Sequence, residues 1–154
     1  MAGVIIVLTS FSTFRQTTQV PYPEGYREWT HLKTAIIDSQ SKAFNSHGGF
    51  HHIYANEKAL LGLKTGKYED GASFVFDVLE AVRNGTDIVE GKRRLIDVML
   101  KDSKAYGETG GWGFEEFKED SKTERLIMET AKMKCFNCHA SKEKNGFVFS
   151  NYRP

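Results

Sequence analysis

The sequence predicts an α+β, β-rich fold: an antiparallel sheet with flanking helices that presents a cysteine–histidine motif near the C-terminus. Three observations carry this. Residues 72–82 set Phe74, Phe76 and Val78 on one side against Val75, Asp77 and Leu79 on the other, the two-residue period of a strand. Asn84-Gly85 follows as a hairpin turn, and residues 94–100, with Leu95, Ile96, Val98 and Met99, return as a second strand. Helical signals are fewer and shorter.

The remaining elements follow in chain order. Residues 4–8, Val-Ile-Ile-Val-Leu, read either as a strand or as the apolar stretch of a signal segment. Residues 1–20 are therefore set apart from a single domain over 21–154. Pro21 and Pro23 with Gly25 make a turn, because proline resists helix, and Tyr26-Arg27-Glu28-Trp29 opens the domain. Ser46-His47-Gly48-Gly49 is a loop and residues 50–54 a short strand. Asn56 caps a helix over 57–64 that Gly66 closes. Asp70-Gly71 is a turn, and residues 102–106 are a helical turn. Gly110-Gly111 leads to a third strand at Trp112-Gly113-Phe114. Residues 122–134, with Leu126, Ile127 and Met133, read as an amphipathic helix, and Phe147-Val148-Phe149 as a last strand.

A chain of 154 residues, 40% hydrophobic and 27% charged, is long enough to bury one real core. The net charge of +1 gives no global field for nucleic acid. No apolar run reaches the length of a transmembrane segment. Eleven Phe and six Tyr point to an aromatic core, a ring-lined pocket, or both.

The two cysteines of the chain lie together in Cys135-Phe136-Asn137-Cys138-His139. C-x-x-C-H is the attachment signature of a c-type haem. The two thiols bond one porphyrin covalently, one haem per chain, and His139 is the metal ligand beneath the iron. Other uses of the motif fit less well. A thioredoxin-like pair belongs after an early strand of a βαβ unit. A closed zinc site wants four ligands, and no second cysteine pair exists, although the other histidines are available. A plain disulfide is the remaining reading.

Several stretches together resemble the cytochrome P-460 family, and within it the cytochrome c′-β branch. They are Tyr26-Arg27-Glu28-Trp29, Ile53-Tyr54, Lys64-Thr65-Gly66, Asp70-Gly71, Lys101-Asp102-Ser103-Lys104, Trp112-Gly113-Phe114, the C-x-x-C-H motif and Phe147-Val148-Phe149. The resemblance spans residues 22–152 and implies a periplasmic, homodimeric haem protein. Members that oxidise hydroxylamine carry a lysine cross-linked to the porphyrin. By spacing from Asp70-Gly71, that position is Phe76 here, which cannot form the link. The c′-β branch implies instead a five-coordinate iron that binds small gases such as nitric oxide and carbon monoxide, with phenylalanines capping the distal side. Phe76 and Phe50 are the two cap candidates. The alternatives are hydroxylamine oxidation, or electron transfer to a redox partner.

Candidates for a sixth ligand are His31, His47, His51, His52, Met99, Met128 and Met133, any of which would favour electron transfer. His51 and His52 are adjacent on a strand, so at most one enters a given pocket. Arg83, Lys92-Arg93-Arg94 and Lys142-Glu143-Lys144 read as solvated surface.

Overall fold

The computed structural model describes residues 19–127 and 129–153. The apolar run at 4–8 and the ligand candidate Met128 lie outside the described residues. Five described strands form one antiparallel sheet in chain order: β1 (Thr30–Ile37), β2 (Gly49–Ala55), β3 (Ser73–Asn84), β4 (Asp87–Lys101) and β5 (Trp112–Lys118). The helices are α1 (Phe44–His47), α2 (Glu57–Thr65) and α3 (Glu129–Ala140), with short 3₁₀ turns at Tyr26–Glu28, Gly107–Thr109 and Glu143–Asn145. This is the β-rich α+β architecture that the alternation predicts.

Register assigns each side chain to a face. One row runs Ala55, Phe74, Met99, Phe114, and the next runs Ile53, Phe76, Asp97, Glu116. Both rows point to what we term the first face, because residues two apart on a strand share a side. The apolar row packs under Ala59 of α2, Cys135 and Phe136 of α3, and Val148. The second face carries Tyr54, Val75, Ile96, Val98 and Phe117 beneath Val20, Tyr22, Tyr26 and Trp29.

Asn56 accepts a hydrogen bond from the Ala59 amide, and Gly66 ends α2 at φ 76°, as its sequence requires. The β3–β4 hairpin closes with Asn84 opposite Asp87, so its two turn residues are Gly85 and Thr86, one position later than the sequence suggests.

One strand was not anticipated, and three expectations need correction. Thr30–Ile37 is a strand the pattern hides: its pairing with β2 shifts between His31 and Lys33, and that irregularity breaks the alternation. The last helix is not residues 122–134 but α3, which begins later and contains the whole cysteine motif. Residues 121–126 instead fold back along β5. The Ser121 hydroxyl accepts from the Thr123 and Glu124 amides, and the Lys118 amide donates to the Glu124 carbonyl. Residues 147–149 are no strand, because Phe147 sits at φ 68°, in the left-handed region that no ladder accommodates. Arg93 and Arg94 are not solvated turn residues. Arg93 pairs with the buried Asp77, and Arg94 donates to the carbonyls of Phe44, Asn45 and Gly48, fastening α1 to β4.

Candidate functional site

Cys135 and Cys138 are free thiols spaced i, i+3 on α3, a spacing that puts both on one side of the helix. Cys135 is half-buried against the first-face core, and Cys138 is exposed. Burial, then the charges of Asp97 and Glu116, push the Cys135 thiol up to about 11. It is therefore protonated at neutral pH and not a ready disulfide or metal thiolate by itself.

His139 is the most constrained of the three. Its Nδ1 lies 2.7 Å from the carbonyl oxygen of Phe147. A carbonyl only accepts, so Nδ1 carries the proton and Nε2 of the neutral ring keeps its lone pair. Burial lowers the pKa of the ring, favouring that neutral form. Phe114 and Phe149 hold the imidazole between them, each with ring centroids 5.0 Å away. This is the second-sphere arrangement that prepares a histidine to ligate a metal.

The carbonyl partner is itself held in place. A phenylalanine at positive φ costs about 1–3 kcal/mol and persists only where its surroundings fix it. Here the Phe147 amide donates to the Lys142 carbonyl, its ring packs on Phe136, and the Trp112 indole N–H donates to the Gly146 carbonyl. Phe147, Phe114 and Trp112 thus surround the candidate site, whereas sequence reasoning counted them as strand and as family-like stretches without a role there. The left-handed phenylalanine leaves no mark in the sequence beyond the adjacent Gly146, also left-handed at φ 63°.

Phe76 is half-buried on the first face, between Ile53 and Asp97. Phe50 is on the second face, stacked on His52 with centroids 5.8 Å apart and opposite Leu79. The structure does not bring the two phenylalanines together: they stand on strand positions of opposite parity. The histidines divide the same way. His51 faces the first side, while His52 and His31 face the second, where Thr34 bridges them. Met99 is buried in the first-face core, and Met133 is exposed on α3.

A polar group shares the first face and was missed as a site. His47, at the end of α1, places Nε2 3.3 Å from Oδ2 of Asp97. Glu116 lies opposite Asp97 on β5. Burial, then the Asp97 charge, push the Glu116 carboxyl up to about 7. Its hydrogen bond to Asp97 raises the pKa of His47. His51 donates from Nε2 to the His47 carbonyl, and burial lowers its pKa. His47, Asp97 and Glu116 are far apart in the chain and come from α1, β4 and β5, so no spacing rule could have found them.

Residues 23–150 match the family model for Cytochrome P460. No curated protein matches the chain. In this light the donor set is coherent: two thiols on one helix side and an imidazole with its tautomer fixed are what a covalently attached haem needs.

Proposed function

The chain belongs to the Cytochrome P460 family and is a haem protein of the cytochrome class, and from that premise we propose that it is a five-coordinate c-type haem protein that binds small diatomic gases. Cys135 and Cys138 are the thioether positions, and His139 Nε2 is the single protein ligand. A haem held there supplies an iron centre whose affinity for nitric oxide or carbon monoxide is set by the groups around it. The hydrogen bond from His139 Nδ1 to Phe147 is the observation that carries this reading, since it leaves Nε2 as the free donor. Phe76 presents an apolar ring and no donor on the first face, which favours neutral diatomics over water or anions. We place the protein in the periplasm, as a homodimer serving nitric oxide scavenging, carriage or sensing, with or without a redox partner.

Acid–acetone treatment and intact mass test the attachment. The haem is expected to stay with the protein, adding one haem per chain; free extraction overturns covalent binding. The ferrous spectrum is expected to be high-spin and to change on adding carbon monoxide. A low-spin spectrum insensitive to carbon monoxide replaces gas binding with electron transfer.

One feature favours a second reading, hydroxylamine oxidation: the Glu116 carboxyl, pushed up to about 7 by burial and the Asp97 charge, lies on the same face as Phe76. Against it, Phe76 occupies the position of the cross-linking lysine. Robust hydroxylamine turnover by the purified protein would decide for the enzyme.

A further inference from the structure

We propose that the exposed surface around Cys138 is a docking face for an acidic one-electron carrier protein. This rests on the reading that haem is attached at Cys135 and Cys138, and adds the partner's chemistry and the place where it docks.

Charge is distributed unevenly along the chain. Residues 129–153 hold five lysine and arginine side chains against two glutamates, a net +3, so the rest of a chain of net charge +1 sums to −2. The fold gathers these cations about the attachment group. Lys134 and Cys138 are spaced i, i+4 on α3, and both are exposed. The Lys142 amide donates to the His139 carbonyl, and its Nζ stands 5.3 Å from the centroid of the Phe149 ring, which packs on His139. Lys144 is exposed in the 3₁₀ turn that follows. A fourth cation enters from α2. The Tyr68 ring lies against both Gly62 and Gly146, which sets α2 beside this turn, and Lys64 Nζ is 5.1 Å from the Tyr152 ring centroid.

Two features set this surface apart from an ordinary solvated one. Exposed lysines elsewhere are neutralised: Lys118 pairs with Glu124, and Lys122 with Glu24. Among the described residues, Lys64, Lys134, Lys142 and Lys144 join no ion pair, and Lys64 and Lys142 stand over rings instead. The second feature is the apolar surface among them. Phe149 and Tyr152 are each 41% exposed and Met133 is 43% exposed. Aromatic and methionine side chains with charge around them are the composition of a protein interface.

Charge complementarity selects the occupant: a basic rim steers an acidic protein toward it and repels a basic one. Cys135 packs into the core while Cys138 faces solvent, so a partner seated here approaches the attachment group from its exposed end. Carbon monoxide binds ferrous haem and not ferric, so a gas-binding role needs one electron whenever the iron is oxidised. The carrier gives up that electron and is itself oxidised; no bond breaks and no proton moves.

The probe is a plant-type [2Fe–2S] ferredoxin, a small acidic one-electron carrier, with mitochondrial cytochrome c as the basic control. Intact mass first fixes the haem content of each sample. A protein without haem fails the attachment reading, whereas a loaded protein that does not bind fails this proposal alone. Calorimetry at low salt should give saturable ferredoxin binding that weakens about tenfold or more between about 20 and about 200 mM salt. Lys64→Glu, Lys134→Glu and Lys144→Glu should each weaken it about threefold or more, and the triple variant should abolish it. Lys92→Glu makes the same charge change at an exposed site on β4 and should leave binding unchanged. The ferrous carbon monoxide spectrum should be the same in every variant, which shows that each has folded. No saturable binding to loaded protein, equal binding of cytochrome c, or equal weakening by Lys92→Glu overturns the proposal. Binding of phosphatidylserine–phosphatidylcholine vesicles that the triple variant loses, with none of ferredoxin, also overturns it and assigns the surface to a membrane.

Discussion

The two faces of the sheet treat buried charge in opposite ways. On the second face, Asp77 is fully buried and fully partnered: Tyr26 donates to it at 2.8 Å, Arg27 at 2.9 Å, and Arg93 at 2.6 Å through Nε. Its neighbours pay it back in rigidity, and burial with the Asp77 bond pushes the Tyr26 hydroxyl well above the usual phenol range. On the first face, Asp97 and Glu116 are half-buried, face each other and lack a strong cation. A carboxylate whose lone pairs are all used holds structure together. One left under-partnered beside free thiols and a pre-oriented imidazole is available for chemistry. The second face therefore has the character of scaffold, and the first is the face on which we propose the site.

Arg93→Met breaks the comparison most severely. It removes the bidentate partner of a buried charge and should destabilise the fold by about 3 kcal/mol, because the carboxylate left behind stays desolvated. The additional pair from Arg93 to the largely exposed Asp120 contributes little. Chemical denaturation measures the loss. The absorption spectrum at low denaturant should be unchanged, since this residue serves the scaffold.

Phe76→Ala comes next. The ring is half-buried, so the folding cost should be about 1–2 kcal/mol, below the 3–5 kcal/mol of a fully enclosed phenylalanine. Its main effect should be on the site: carbon monoxide association, followed by flash photolysis, should accelerate as an apolar barrier is lost. Unchanged association would make Phe76 ordinary packing.

Glu116→Gln acts through pH. The folded-state carboxyl, raised to about 7, binds its proton more tightly than the unfolded chain does. The contribution of Glu116 to stability is therefore most favourable below the unfolded carboxyl range and declines as pH rises from about 4.5 through about 7. His47, whose pKa is also raised, adds a decline of the same sign above its unfolded value. Glutamine cannot ionise, so the variant should flatten the profile and gain about 1–2 kcal/mol above pH 7, after allowing for solvent screening. Denaturation midpoints from pH 4.5 to 8 in both proteins check this. A profile equally steep in the variant would move the effect to other groups.

Much of the scaffold was legible because it follows local rules. The alternation of β3 assigned Phe74, Phe76 and Val78 to one side, and Asn56 and Gly66 bounded α2. The cysteine–histidine motif was legible because its five residues are contiguous. What escaped depends on distant geometry or on strain. The register shift in β1 hid a strand. Leu126 and Ile127 drew the helix reading toward a segment that the Ser121 hydroxyl turns back along β5. Phe147 was read as strand because propensity cannot show a left-handed backbone, although its carbonyl orients His139. The trio of His47, Asp97 and Glu116 exists only once register has been set.

Phe50→Leu gives the smallest effect and the sharpest test of the two faces. Composition and the family resemblance make Phe50 and Phe76 equivalent caps, but strand parity separates them. Phe50 stacks on His52, beside the Thr34 bridge to His31. Leucine keeps most of the apolar volume and loses the ring stacking, so the stability cost should be under about 1.5 kcal/mol. Carbon monoxide association should match the wild type, because nothing on the first face is altered. The same change at Phe76 should raise the association rate. If Phe50→Leu instead accelerates ligand entry as much as Phe76→Leu, the ligand does not approach from the first face alone, and the division into scaffold and site fails.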